Sequence, residues 1–329
     1  MDEKTKSKLK NQINDLFKEK PVVTQVTKTK TICMVSNKGG TGKTNASICL
    51  TSMLAHQGYK VLYVDLDSQN NSRDMFDVTQ HKGDNLIKIF QKVLNARFDL
   101  IKMTIKSPIL HHSEFISEKR DELINFDILS LGEELDDINE MTIRGLDALC
   151  EDPSTKYPLV QHGFLKPIIQ AITNKYAYDF IIIDTEPDPK SLLKKAALVA
   201  SDYAIIIAEC TSQGVVGANS AAKVVNKMQL INKNLKPLSV LITKYNIGAY
   251  CKQTDAAMEG VLYNFYELAQ SLKVPFVHAY FSTMYNSSNI EGMQFSPLVR
   301  SMKFHKDSIY EDYKLITKTI LGQIQLMEK

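Results

Sequence analysis

Seven short apolar runs alternate along the chain with segments of helical periodicity: Thr31 to Ser36, Lys60 to Val64, Phe126 to Ser130, Phe180 to Ile183, Tyr203 to Ala208, Ser239 to Thr243 and Val274 to Ala279. Runs this short and this rich in Ile, Val and Leu read as strands buried on both faces, the condition of a parallel sheet covered by helices. The expected fold is α/β, a mostly parallel doubly wound sheet with helices on both faces. Ahead of it, residues 1–30 carry Leu9, Ile13, Leu16 and Phe17 at helical spacing, then Pro21 and a Thr/Lys connector, which predicts a short lysine-rich amphipathic helix. Residues 31–329 read as one large domain rather than two small ones. The stretch from Asp74 to Arg120 is read as helical and weakly patterned, with no strand placed in it. Near the end, Leu315, Ile316, Ile320, Ile324 and Met327 form a helical stripe with few lysines, expected to pack into the core.

Composition excludes several classes. With 44% hydrophobic and 23% charged residues over 329 positions, the chain is that of a globular protein rather than a disordered one. Five cysteines without a CxxC pair support neither a disulfide framework nor a zinc site. No apolar run approaches the roughly 18 residues a bilayer span needs, so a cytoplasmic protein is expected. The net charge of +3 hides opposed blocks. Asp121 to Asp152 holds 11 acids and one arginine, whereas Pro189 to Thr254 holds nine lysines and two acids. A basic block of this kind suits a polyanion.

The most specific signal is Asn37-Lys38-Gly39-Gly40-Thr41-Gly42-Lys43-Thr44, directly after the first apolar run and directly before a helical segment starting at Asn45. Glycines there let backbone N–H groups turn inward around phosphate oxygens, and the helix N-terminus adds partial positive charge. In such a loop Lys43 pairs with the β and γ phosphates of a nucleotide and the Thr44 hydroxyl ligates Mg²⁺. Two further runs end in acids. Val61 to Leu66 leads into Asp65 and Asp67, and Phe180 to Ile183 delivers Asp184 in the Walker B manner, toward a metal's water shell.

Lys38 sets this loop apart from the plain GxxxxGK[ST] form. The sequence KGGTGKT is the deviant Walker A motif, and from Thr31 to near the C-terminus the chain resembles the ParA and MinD family of ATPases. The resemblance implies that Lys38 reaches across an ATP-bound homodimer to the partner's phosphates. It also implies that Asp67 positions or activates the attacking water while Asp65 supports Mg²⁺ or the loop. Residues Lys38 to Asn45 are the expected nucleotide contacts, with Tyr245 and Asn246 near the base by the same resemblance. Catalysis is expected from Lys38, Lys43 and Asp67, and metal binding from Thr44, Asp65 and Asp184. The segment Ala196 to Tyr203 continues the likeness. Departures are Ser68 in place of a proline, Glu186 and Asp188 beside Pro187, and no proline within Ile207 to Cys210.

Within the family, the C-terminal stripe lacks the basic face of membrane-cycling relatives, so no membrane is expected. The cysteines do not suit a cluster carrier. The likeness is strongest to ParA-type partition ATPases, which implies ATP and Mg²⁺ as cofactors, nonspecific double-stranded DNA and a ParB-type protein as partners, and a nucleoid-associated location. Slow hydrolysis without the partner is expected. The DNA candidates are Lys190, Lys194, Lys195, Lys223, Lys227, Lys233, Lys236, Lys244 and Lys252, lysines suited to phosphate contacts without base reading. A MinD-like membrane-associated positioning ATPase and a nonhydrolysing ATP-dependent DNA-binding regulator are the alternatives.

Overall fold

The computed structural model describes residues 28–67, 84–97, 109–115, 123–132, 136–152, 159–243, 255–278 and 308–329. The N-terminal helix expected within residues 1–30, together with Ser68, Lys244, Tyr245, Asn246 and Lys252, lies wholly or almost wholly outside these residues.

Among the described residues, eight strands form one sheet: β1 (Lys30–Val35), β2 (Val61–Leu66), β3 (Leu110–Phe115), β4 (Leu123–Ser130), β5 (Phe180–Thr185), β6 (Tyr203–Glu209), β7 (Lys236–Thr243) and β8 (Phe276–His278). Their spatial order is β3-β4-β2-β5-β1-β6-β7-β8. Seven run parallel, and β3 lies antiparallel on β4 at the edge, with Leu110 opposite Ile128 and Phe115 opposite Leu123. All seven sequence-read runs are strands. The eighth, β3, is a correction to the helical reading of Asp74 to Arg120. Its sequence LHHSEF has two large apolar residues, and an edge strand takes its hydrogen bonds from one neighbour without needing an apolar run.

The helices are α1 (Lys43–His56), α2 (Leu86–Asn95), α3 (Asp137–Cys150), α4 (Leu165–Tyr176), α5 (Leu192–Ala200), α6 (Ser212–Gln229), α7 (Asp255–Leu272) and α8 (Ser308–Glu328). Strand side chains alternate between two cores, as the period of two requires. Cys33, Val35, Leu62, Val64, Ile181, Ile183 and Ile206 face the layer formed by α2 to α7. Ile32, Met34, Tyr63, Phe180, Ile182 and Ile205 face α1 and α8. In α8 the stripe Ile316, Ile320 and Ile324 is buried in that second core, as its sequence pattern predicted. No helix among the described residues is long and apolar enough to cross a membrane.

The topology fixes where a ligand goes. Strand β1 sits between β5 and β6, and the chain passes from β5 through α5 to β6 across it. Connections therefore leave to opposite sides at the C-terminal end of β1, which opens a crevice there.

Candidate functional site

The glycine loop rises from β1 into this crevice. Gly40 and Gly42 have φ of 71° and 76°, the left-handed region that glycine enters without a Cβ penalty. Gly39 and Gly40 are exposed, and a Cβ added at either would meet nothing within 4 Å, so no side chain is packed over the loop at these positions. Gly42 is the N-cap of α1 and provides no side-chain cap, leaving the first-turn N–H groups and the positive end of the helix dipole directed at the loop. The loop is fastened from outside. The Thr243 hydroxyl at the end of β7 donates to the Thr41 carbonyl, and Ser36 Oγ accepts from Thr41 Oγ1 at 3.2 Å and from Lys38 N–H at 3.3 Å.

Three charged groups converge at the loop. Lys43 Nζ lies 2.5 Å from Asp184 Oδ1 and 3.8 Å from Asp67 Oδ2. Asp184, the penultimate residue of β5, is 0% exposed and also takes a hydrogen bond from Ser47 Oγ at 3.1 Å and one from Tyr63 OH at 3.2 Å. Such full satisfaction is what lets a carboxylate and an ammonium remain buried. Ser47 and Tyr63 were not among the sequence candidates, although Ser47 stands one helical turn after Lys43, at the i+4 position that shares its face. Asp65 accepts the Asp67 N–H at 2.9 Å, so it shapes the turn that presents Asp67. Thr44 and Asn45 are half-buried in the first turn of α1.

The oxygens present fit a hard divalent cation. Among the described residues no group of three or more His, Cys, Asp or Glu side chains forms a protein-only cage. The Thr44 hydroxyl on the first turn of α1 and the buried carboxylates Asp65 and Asp184 are hard oxygen donors of the kind Mg²⁺ takes, an ion that keeps waters and takes phosphate oxygens for the rest of its shell.

Around this centre, Lys38 is ion-paired within its own chain to Glu209 at the end of β6, whose Oε1 also lies 3.2 Å from Thr211 Oγ1. Nothing in the sequence linked these two residues, 171 positions apart. Glu186 lies beyond Asp184. Burial chiefly raises its carboxyl above the ordinary range, with Asp67 and Asp188 adding to the effect and a Ser191 hydrogen bond opposing it.

The basic block divides. Lys190, Lys223, Lys227, Lys233 and Lys236 are exposed and Lys195 is half-buried. Lys223 and Lys227 share an outward face of α6, as their spacing predicted. Lys190 follows the C-terminal end of β5, whereas Lys236 opens β7 at the far end of the sheet and donates to the Met327 carbonyl at 3.0 Å. A strand of six residues spans roughly 20 Å, so these lysines do not form one patch. Lys194 is a correction. It is 0% exposed, and its Nζ donates to Ser36 O at 2.8 Å and Asn37 Oδ1 at 2.9 Å, beneath the loop. It cannot touch DNA from there.

Residues 29–237 match a family described as "AAA domain". The chain is 28% identical over 238 residues to the sporulation initiation inhibitor protein Soj of Bacillus subtilis, covering 71% of each chain. Among solved structures it is similar to a plasmid partition protein from Borrelia burgdorferi, with a TM-score of 0.53 and 24% identity over 90% of this chain and 100% of that one. It is also similar to pNOB8 ParA bound to nonspecific DNA, with a TM-score of 0.56 and 16% identity over 91% and 99% of the two chains. The fold, the glycine loop and the relatives together show that this chain belongs to the ParA/MinD-like family of P-loop AAA domains.

Proposed function

We propose that this protein is a ParA-type partition ATPase, which binds ATP with Mg²⁺, closes into a homodimer, holds DNA without sequence preference and hydrolyses ATP when a ParB-type partner engages it. The observation that carries the reading is the convergence of Lys43, Asp67 and Asp184 on an open glycine loop at the C-terminal end of the central strand. Lys43 exchanges its ion pair with Asp184 for the β and γ phosphates, a charge-for-charge substitution that keeps a buried ammonium compensated. Asp184 and Thr44 would hold the metal, which would supply positive charge to the transferring phosphoryl group. Asp67, presented by the Asp65 turn, orients the attacking water.

Lys38 acts in trans in this reading, so the pair with Glu209 opens before the lysine reaches a second subunit. A cation delivered only on assembly makes charge stabilisation conditional on dimerisation. The similarity to a plasmid partition protein supports a partition role, and the DNA-bound ParA with the same fold supports DNA as partner. Lys223 and Lys227 are the residues of the basic block best placed for phosphate contacts, because both are exposed on one helix face.

Cosedimentation with DNA tests the proposal. Binding is expected only with ATP and Mg²⁺, to be independent of sequence, and to weaken steeply with salt as counterions are released. Lys223→Glu with Lys227→Glu is expected to abolish it while leaving ATP binding intact. DNA binding that survives this double substitution overturns the assignment of the surface.

A further inference from the structure

The buried lysine under the loop has no role in the mechanism described so far. Its electrostatic situation is unusual. Lys194 is 0% exposed, and its two hydrogen-bond acceptors, Ser36 O and Asn37 Oδ1, are neutral. Among the described residues no carboxylate lies within ion-pair distance of it. Taking an ammonium out of water costs several kcal/mol unless an opposite charge compensates. The groups facing it offer little: Cys33 on β1 is a thiol pushed up to about 12 by burial, Lys43 on α1 repels, and only Glu186 and Asp188 after β5 attract from farther off.

Lys194 is also mechanically committed to the loop. Its own N–H is capped by Ser191 Oγ at 3.1 Å, which fixes the start of α5. Asn37, which accepts from Nζ, donates through its amide to Ser220 Oγ on α6 at 2.9 Å. The ammonium thus ties the phosphate loop to α5 and, through Asn37, to α6. Both of its acceptors belong to the residues that lead from β1 into the loop, so the charge is held at the loop's base.

We propose that Lys194 is a further cation of the phosphate site, a positioning residue that braces the loop through Ser36 and Asn37 and whose charge is compensated by the phosphates of a bound nucleotide. This deepens the functional proposal and rests on its reading of the glycine loop as a nucleotide site. A proton linkage follows. Burial lowers the Lys194 pKa to about 8 in the free protein, with Lys43 contributing. Anionic phosphates nearby raise it, so binding above that pH takes up a proton and affinity falls as pH rises through 8.

Calorimetric titration of the full chain with Mg²⁺ and ADP, from about pH 7 to about pH 9.5 in paired buffers of different ionisation heat, is the test; phosphate groups with pKa near about 6 are already ionised throughout that range. Wild type is expected to lose about tenfold in affinity across it and to take up protons at the alkaline end. Lys194→Gln, neutral but still a donor, is expected to bind about tenfold more weakly at pH 7 with a flat profile. Lys194→Arg is expected to restore much of the pH 7 affinity, also with a flat profile. Wild-type affinity in Lys194→Gln at pH 7 overturns the proposal. If that variant does not fold, a wild type that takes up no proton overturns it equally. A wild type that binds no ADP at any pH removes the nucleotide reading itself, a distinguishable failure.

Discussion

Removing the charge at Asp184 perturbs a buried and well-compensated ion pair. Asp184 is fully buried and holds Lys43 at 2.5 Å, with Ser47 and Tyr63 completing its shell. Asp184→Asn leaves the Lys43 ammonium, itself buried, with only the more distant Asp67 carboxylate at 3.8 Å. Breaking a buried pair from one side costs about 3–5 kcal/mol, because the surviving charge keeps its desolvation penalty. Lys43→Met is expected to cost less, about 1–3 kcal/mol, since the carboxylate it leaves behind still accepts from Ser47 and Tyr63. The double variant removes both charges together, so its cost is expected to fall short of the sum of the singles by about 2–3 kcal/mol. Urea unfolding at pH 7 without nucleotide, with m unchanged across the set, measures all four species. Additivity within about 0.5 kcal/mol would refute the pairing.

Other outcomes follow from the same geometry. Glu209→Gln frees Lys38 from a half-exposed pair of the kind worth up to about 1 kcal/mol. With two such pairs per dimer, ATP-dependent association is expected to tighten by roughly five- to thirtyfold in analytical ultracentrifugation, and an unchanged dissociation constant contradicts it. Gly42→Ala forces a Cβ into a residue at φ 76°, so a loss of about 1–2 kcal/mol and weaker ADP binding are expected from melting curves and titration. Gly214→Ala places a Cβ 2.0 Å from the Glu209 carbonyl oxygen, a backbone clash that must shift the start of α6. It should lower the melting temperature, and an unchanged value would contradict that contact. Because the folded-state pKa of Lys194 lies below its ordinary 10.5, the unfolded chain binds more protons between about 8 and 10.5. The stability of wild type measured against Lys194→Gln is therefore expected to rise with pH across that window, the raised thiols and phenols cancelling in the difference.

The residues of the proposed nucleotide site were legible because their signal is local: a loop of eight residues, and strands with acids at or just past their C-terminal ends. Lys194 was miscast because counting lysines along a block ignores helical phase. In α5, Leu193, Ala196, Ala197, Leu198 and Val199 are all buried, so most of this short helix is packed and a lysine on it is not outward by default. The Lys38 pairing was invisible for another reason, since its partner comes from β6 and only the sheet order brings the two together. Strand β3 escaped because an antiparallel edge strand needs neither an apolar run nor a crossover helix. The exposed face carrying Lys223 and Lys227, in contrast, followed directly from spacing.

Light-scattering mass of the chain with ATP and Mg²⁺ tests the proposed mechanism most directly, using wild type, Asp67→Ala and Lys38→Ala. Loss of the water-orienting carboxylate should trap Asp67→Ala as a stable ATP dimer, while Lys38→Ala, lacking the cation that crosses the interface, should stay monomeric. A monomeric Asp67→Ala under saturating ATP, or a Lys38→Ala that dimerises like wild type, would contradict it.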